Sequence, residues 1–191
     1  MLKQFAKVFL IFMGLTSLPS CGADAGFRAW QEEVRLSDGR VIVVTQTRRC
    51  ESAYTGKEVA PCISRETWLT INLPEFSKQE IVWNEKLDPR VLNIHEGKLY
   101  VVGWPTTGRE FDLYGKPQPP YIGYRWTGKV WERISLQEIP EAIYSTNMII
   151  DLPPKEIKFL TLARKESFSM NGSPDYRKHH RRIDPTYKSN F

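Results

Sequence analysis

The sequence has few of the side chains that most often carry catalysis or bind metals. Only three of its 191 residues are histidine and three are cysteine. His95 precedes a predicted turn, and His179 and His180 lie in a basic tail, so none has the spacing of a metal-binding motif. A GxSxG motif, an HExxH motif and a glycine-rich phosphate loop are all absent from the sequence. The sequence therefore gives an enzyme no recognisable catalytic constellation, and we expect no metal site and no cofactor.

Long apolar runs are absent after residue 20, and the one that exists lies at the N-terminus. Lys3 and Lys7 precede the apolar stretch from Val8 to Leu18, and the first acidic residue is Asp24. The stretch is too short to span a bilayer as a permanent helix. This order of charge and hydrophobicity predicts a secretory signal peptide over residues 1–20.

The end of this run, Leu18-Pro19-Ser20-Cys21, resembles the lipobox of bacterial lipoproteins. The resemblance implies cleavage before Cys21, acylation of its thiol and amine, and attachment of the mature chain to a membrane through these acyl chains. Gly22 stands where an aspartate would imply inner-membrane retention, which favours the outer membrane. The rest of the chain is similar to uncharacterised proteobacterial lipoproteins, and this similarity implies an envelope location but no activity.

The odd cysteine count also fits this interpretation. If Cys21 carries the acyl chains, Cys50 and Cys62 remain on either side of a polar segment. In an oxidising periplasm the two can form a disulfide that contributes about 3 kcal/mol by closing a short ring. A redox pair or a metal site is the alternative, although the spacing is not CxxC.

Charge is unevenly distributed along the chain. The formal net charge is +5 overall, +3 without residues 1–20, and +4 within residues 164–191, so residues 21–163 sum to −1. A basic tail on a near-neutral body suggests contact with anionic lipids or wall polymers. Nucleic acid is not expected as a partner at a periplasmic address, and a tail without a partner is the alternative. The candidate contact residues are Arg177, Lys178, Arg181 and Arg182.

Three glycine-containing turns divide the middle of the chain into β-hairpins. Gly39, Gly97 and Gly128 are each followed by a basic residue and are flanked by β-branched or alternating runs. The pattern predicts two four-stranded antiparallel meanders over residues 30–84 and 91–134, hence an all-β single domain of sandwich or partly propeller-like form.

The remaining chain is divided as follows. We predict a helical turn from Ser135, which with Glu138 resembles a capping box, and further strands at 142–150 and 156–163. The predicted organisation is a signal peptide (1–20), a lipidated tether (21–29), a β-rich domain (30–166) and a basic extended tail (167–191).

A proline-rich connection, residues 104–120, is the most promising binding segment. Long ordered loops often carry function, and aromatic rings near charged groups can bind sugar or peptide. A loop that only packs over one end of the sheet is the alternative. The candidate ligand-binding residues are Trp104, Arg109, Tyr114 and Tyr121.

Two functions fit these features. The first is a lipid-anchored, non-catalytic binding or structural module of the envelope, with an envelope protein, peptide or glycan as partner. The second is a lipid-anchored enzyme acting on cell-wall or envelope material. A deep cleft with converging acids or a histidine would favour the enzyme, and a shallow face would favour binding.

Overall fold

Two antiparallel sheets form the body of the protein. The computed structural model describes residues 26–54, 59–169 and 181–189. The predicted all-β single domain is confirmed, because the described helices are few and short.

The first sheet is a four-stranded meander with a short fifth strand added at one edge. Its spatial order is β4-β3-β2-β1-β9, and β9 runs parallel to β1, with Gln31 opposite Phe159. The long β2–β3 hairpin extends past the start of β1, where Gly26 pairs with Cys50. The strands are β1 (Gly26–Arg35), β2 (Val41–Tyr54), β3 (Val59–Ile71), β4 (Ile81–Glu85) and β9 (Phe159–Leu160).

The second sheet is a plain meander in the order β5-β6-β7-β8. Both predicted meanders are therefore present. The glycines of the three predicted turns have φ between +70° and +91°, a left-handed conformation that glycine adopts without steric cost. The strands are β5 (Asp88–His95), β6 (Lys98–Trp104), β7 (Ile122–Trp126) and β8 (Trp131–Ile134).

The apolar core lies between the two sheets and continues beneath a C-terminal cover. Val34, Leu69 and Trp83 of the first sheet pack in one cluster with Leu99 and Val101 of the second. The opposite face of the second sheet is buried as well. We call the segments that bury it, residues 135–144 and 183–187, the C-terminal cover.

Four short helical segments complete the described chain. They are α1 (Gly108–Leu113), 3₁₀ turns at Leu136–Glu138 and Glu141–Ile143, and α2 (Leu162–Ser169). The predicted capping box is confirmed, because the Ser135 amide and hydroxyl both donate to Glu138 Oε2 at 2.9 Å.

The strand predicted at 142–150 was wrong. Its apolar residues suggested a strand, but they point into three different clusters: Ile143 lies beneath the second sheet, Met148 lies between the sheets, and Ile149 packs beside Trp30. A regular strand has only two faces, so the chain bends through a 3₁₀ turn and loops instead.

The strand predicted at 156–163 shrinks to the two residues of β9. Thr161 ends it by capping a helix, since its hydroxyl accepts a hydrogen bond from the Arg164 amide at 3.3 Å. The carboxylate of Glu33 accepts from the Leu162 amide at 2.9 Å. These contacts start α2 where the sequence pattern predicted continued strand.

The predicted domain boundaries also shift. Strand β1 begins at Gly26, so the last residues of the predicted tether are part of the sheet. At the other end, Ile183 of the predicted extended tail is 1% exposed and belongs to the cover. The predicted signal peptide and Cys21 lie outside the described residues. Among the residues that the structure describes, no helix is long and apolar enough to cross a membrane.

Candidate binding groove

An open groove of about 1010 Å³ lies between the proline-rich connection and the C-terminal cover. Its walls are mainly prolines and aliphatic side chains, with Tyr121 and Tyr144 in the lining. The proline and aliphatic lining residues are Pro117, Pro119, Pro140, Pro185, Ile122, Ile134, Leu136 and Ile139.

The end of the proline-rich connection builds one wall. The Gln118–Pro119 peptide bond is cis, and the Tyr121 amide donates to the Pro119 carbonyl at 2.8 Å. The Gln118 side chain holds the last described residues against this wall. Its Nε2 donates to the Ser189 carbonyl at 3.1 Å, and the Ser189 amide donates to its Oε1 at 2.9 Å. This reciprocal pair fixes the C-terminal segment beside the groove.

The facing wall follows the capping box. After the 3₁₀ turn, Ile139 packs directly on β7 at Gly123, where an added Cβ would lie 2.8 Å from the Ile139 side chain. Gly123 is therefore a close-approach position, and any larger residue there would push Ile139 away. The absence of a side chain at Gly123 thus allows Ile139, and the groove wall that contains it, to pack close to β7.

The groove has little acid–base chemistry. Among its lining residues the only charged side chains are Arg133 and Glu141, and none is a histidine. Arg133 already donates to the Tyr114 carbonyl at 3.2 Å and lies over the Tyr114 ring at 5.5 Å. Burial raises the pKa of Tyr121 and of Tyr144, so both phenols stay protonated at neutral pH. The groove thus offers a mixed lining, in which partly exposed prolines and Leu136 alternate with polar side chains.

The four predicted ligand-binding residues do not converge on one site. Trp104 and Tyr121 pack edge to face with ring centroids 5.0 Å apart, and they are only 8% and 5% exposed. Tyr114 lies elsewhere, with its hydroxyl donating to Glu85 Oε2 at 2.6 Å and accepting from the Lys86 amide at 3.1 Å. Of these residues only Tyr121 lines the groove, and a ligand-binding role for it stays a prediction.

Arg109 lies on α1, away from the other three. It is exposed, and its Nη1 is 3.8 Å from Glu51 Oε2. The neighbouring Glu110 is 2% exposed and forms an ion pair with Arg65 at 3.2 Å. Thr106 donates to the Ser64 carbonyl at 2.9 Å. These contacts dock the first half of the proline-rich connection on β3, as in the packed-loop alternative.

A buried ionic network was missed by the sequence analysis. Glu32, Gln46 and Arg48 point inward from β1 and β2 and are at most 1% exposed. Glu32 accepts from the Gln46 side chain and from Lys165 Nζ of α2, the latter at 2.5 Å. Arg48 forms an ion pair with Asp88 of β5 at 3.0 Å. The alternation along β1 and β2 could have placed these three residues on the inward face of the sheet. They were not predicted to be buried, because charged residues are seldom fully buried.

The network holds the sheets and α2 together. Besides Glu32, Lys165 Nζ donates to the carbonyls of Glu33 and Asn147 at 2.8 and 2.6 Å. Burial lowers the pKa of Lys165, and the charge of Glu32 opposes this shift. None of these residues lines the groove. We therefore assign the network a structural role.

The remaining predicted sites divide between described and undescribed residues. The disulfide between Cys50 and Cys62 is confirmed, with Cα atoms 4.7 Å apart. Arg182 is exposed and lies 5.6 Å over the Tyr144 ring, and Arg181 is exposed beside it. Arg177, Lys178 and Cys21 lie outside the described residues, so their anionic-surface and lipidation roles stay predictions. Within the described ranges, no three histidine, cysteine or acidic residues group as metal ligands.

Comparison with known proteins adds no identity. The sequence matches no family model, and neither a curated protein nor a solved structure matches it. Function must therefore be argued from this chain's own sequence and geometry.

Proposed function

We propose that this protein is a lipid-anchored, non-catalytic binding module of the bacterial envelope, and that the groove binds an extended peptide segment of an envelope partner. The observation that carries the proposal is the open groove, whose lining combines the partly exposed prolines and Leu136 with polar side chains. Such a lining suits a peptide that buries apolar side chains and hydrogen-bonds at its edges.

A peptide fits the groove better than a glycan does. Sugar rings commonly pack on exposed aromatic faces, but the two lining tyrosines, Tyr121 and Tyr144, are only 5% and 6% exposed. The exposed polar residues Gln137 and Glu141 also line the groove, where they can meet peptide backbone groups.

A cell-wall enzyme is the weaker alternative. Glycoside hydrolysis typically needs two carboxyl groups about 5–10 Å apart across the bond. Glu141 is the only carboxylate among the residues that line the groove. The geometry therefore favours binding over hydrolysis at this site.

The anchor is tested separately from the groove. The full chain is expressed in a bacterium with radiolabelled palmitate, together with Cys21→Ala. We expect label on the wild-type protein only, and release of the variant from the membrane fraction, because the acyl chains are the proposed attachment. Labelling and membrane recovery that do not change in Cys21→Ala would refute the anchor.

The groove is tested by titrating the domain with linear peptides selected from a display library, and with soluble glycan strands in parallel. Leu136→Asp places a charge in the apolar wall, and we expect it to weaken peptide binding at least about tenfold, or 1.4 kcal/mol. The matched control is Val130→Asp, an exposed residue outside the groove. Equal effects of both variants would contradict the groove, and binding of glycan alone would exclude a peptide ligand.

A further inference from the structure

The outward face of the first sheet, which the described residues leave partly exposed, has apolar side chains at its two ends and the polar residues Gln31, Thr45 and Thr47 between them. Phe27 is 63% exposed, and Val41, Val43 and Val82 on the same face are 45–47% exposed. The Phe27 ring contacts Trp68 across β2, with ring centroids 6.1 Å apart. Of these apolar side chains, only Phe27 and Trp68 form a partly exposed aromatic pair that could contact another surface.

The aromatic pair lies at the end of the sheet that is closest in sequence to Cys21. Five peptide units separate Cys21 from Gly26, the first residue of β1. A chain of this length spans at most about 18 Å. An acylated Cys21 would therefore keep Phe27 and Trp68 within reach of the bilayer surface.

Charge near the aromatic pair is locally neutralised. Arg49, which lies opposite Phe27 on β2, forms ion pairs with Glu51 at 3.0 Å and with Glu66 at 3.5 Å. A neutralised, aromatic surface suits the interface of a bilayer, where aromatic side chains are enriched. A strongly charged face would instead require a matching charge on its partner.

The groove lies on the other side of the molecule. It is lined largely by the C-terminal cover, which packs on the face of the second sheet turned away from the first sheet. If the outward face of the first sheet meets the membrane, the groove opens away from it.

We propose that the Phe27–Trp68 end of this outward face rests on the lipid bilayer. This inference depends on the proposed acylation of Cys21, which brings the face to the membrane. The acyl chains hold the protein, and the sheet face sets its orientation, so that the groove points away from the lipid.

The test uses the full chain, purified in its membrane form and reconstituted in phosphatidylethanolamine and phosphatidylglycerol vesicles. Part of the lipid carries bromine near the head of its acyl chains, because bromine quenches tryptophan fluorescence on contact. We expect bromolipid to quench the wild-type protein, and Trp68→Phe to lose most of this quenching.

A matched pair tests the second aromatic residue. Phe27→Ser should weaken the quenching of Trp68, whereas Val130→Ser, at a position equally exposed at 63% but on the β7–β8 turn, should not. Palmitate labelling of every variant reports the anchor independently. Unlabelled wild-type protein would overturn both the anchor and this inference.

Labelled protein without bromolipid quenching of Trp68 would overturn the membrane contact alone. Acrylamide, a quencher in water, then identifies the surroundings of Trp68. Access of acrylamide would show a face exposed to water, and protection from both quenchers would show a face covered by protein, such as a second copy of the chain. Equal loss of quenching in Phe27→Ser and Val130→Ser would also count against the inference.

Discussion

The two sheets bury their faces in different ways. The first sheet buries one face, which is apolar at Val34 and Val44 but polar and charged at Glu32 and Arg48. The second sheet buries apolar side chains on both faces, one against the first sheet and one beneath the C-terminal cover. The stability of the first sheet therefore depends on ion pairs buried in its core. The stability of the second sheet depends on the C-terminal cover, which follows both meanders in the sequence.

The largest effect on stability is expected from breaking the buried ionic network of the first sheet. Glu32→Ala leaves Lys165 without its carboxylate partner in a buried setting, and we expect a loss of about 3–5 kcal/mol in unfolding free energy. Urea unfolding followed by tryptophan fluorescence measures it. The control is Gln31→Ala, the exposed neighbour on the same strand, with an expected change within about 0.5 kcal/mol. A small effect of Glu32→Ala would show that the network is not structural.

The cover of the second sheet is tested by Ile143→Ala. Ile143 is fully buried beneath this sheet, so truncation leaves a cavity and should cost about 2–5 kcal/mol. Val43→Ala on the outward face of the first sheet should change stability by at most about 0.5 kcal/mol. The same urea titration compares the two. Similar costs would mean that the two faces do not differ as described.

The disulfide joins the two strands of the long hairpin of the first sheet. Cys50 and Cys62 are 12 residues apart, and replacing both with alanine should cost about 2–3 kcal/mol because the unfolded chain regains the freedom of that ring. Thermal unfolding of the double variant is compared with that of wild-type protein treated with reductant. The hypothesis fails if reduction leaves the melting temperature unchanged.

The second sheet has a tight contact that the first sheet does not need. Gly123→Ala pushes against Ile139 and should cost about 1–3 kcal/mol. Gly108→Ala is the control, because no atom lies within 4 Å of its added Cβ. A Cβ at position 123 would also lie 2.9 Å from the Ile134 side chain, and calorimetry should separate the two variants. No difference between the two alanine variants would rule out the close approach.

The smallest effect concerns acid stability at the end of the first sheet. Hydrogen bonds from Arg49, and then from Arg65, lower the pKa of Glu51 below its ordinary value of 4.5. The unfolded state then binds a proton more readily, so this contribution is present above pH 4.5 and is lost as the pH falls through the lowered value. Glu51→Gln should flatten the acid limb of a stability profile by at most about 1 kcal/mol. An unchanged profile would mean that Glu51 does not contribute to the pH dependence of the unfolding free energy.

Local sequence signals predicted the strands well but not their surroundings. Gly39, Gly97 and Gly128 fix three tight turns, and these turns place both meanders. Long-range contacts decided the rest. The strand predicted over 142–150 failed because its apolar residues serve three separate clusters, which no local pattern reveals.

The groove was only partly predictable for the same reason. The proline-rich connection was identified as a candidate, and Tyr121 does line the groove. The other wall comes from Leu136, Ile139 and Tyr144, which are brought there by the packing of the cover on β7 and not by their own pattern. The ionic partners Glu32 and Lys165 are 133 positions apart and could not be paired from the sequence.

The position of the cover in the chain affects the order in which the protein can fold during synthesis. Both meanders are complete by Ile134, but residues 135–144 and 183–187, which bury the far face of the second sheet, are made afterwards. A nascent chain therefore passes through a stage in which Val91, Val102 and Tyr100 form an apolar surface open to water. Partly folded chains with such surfaces are prone to aggregate. The cover, which is synthesised after both meanders, is thus the part of the chain that shields this surface from self-association.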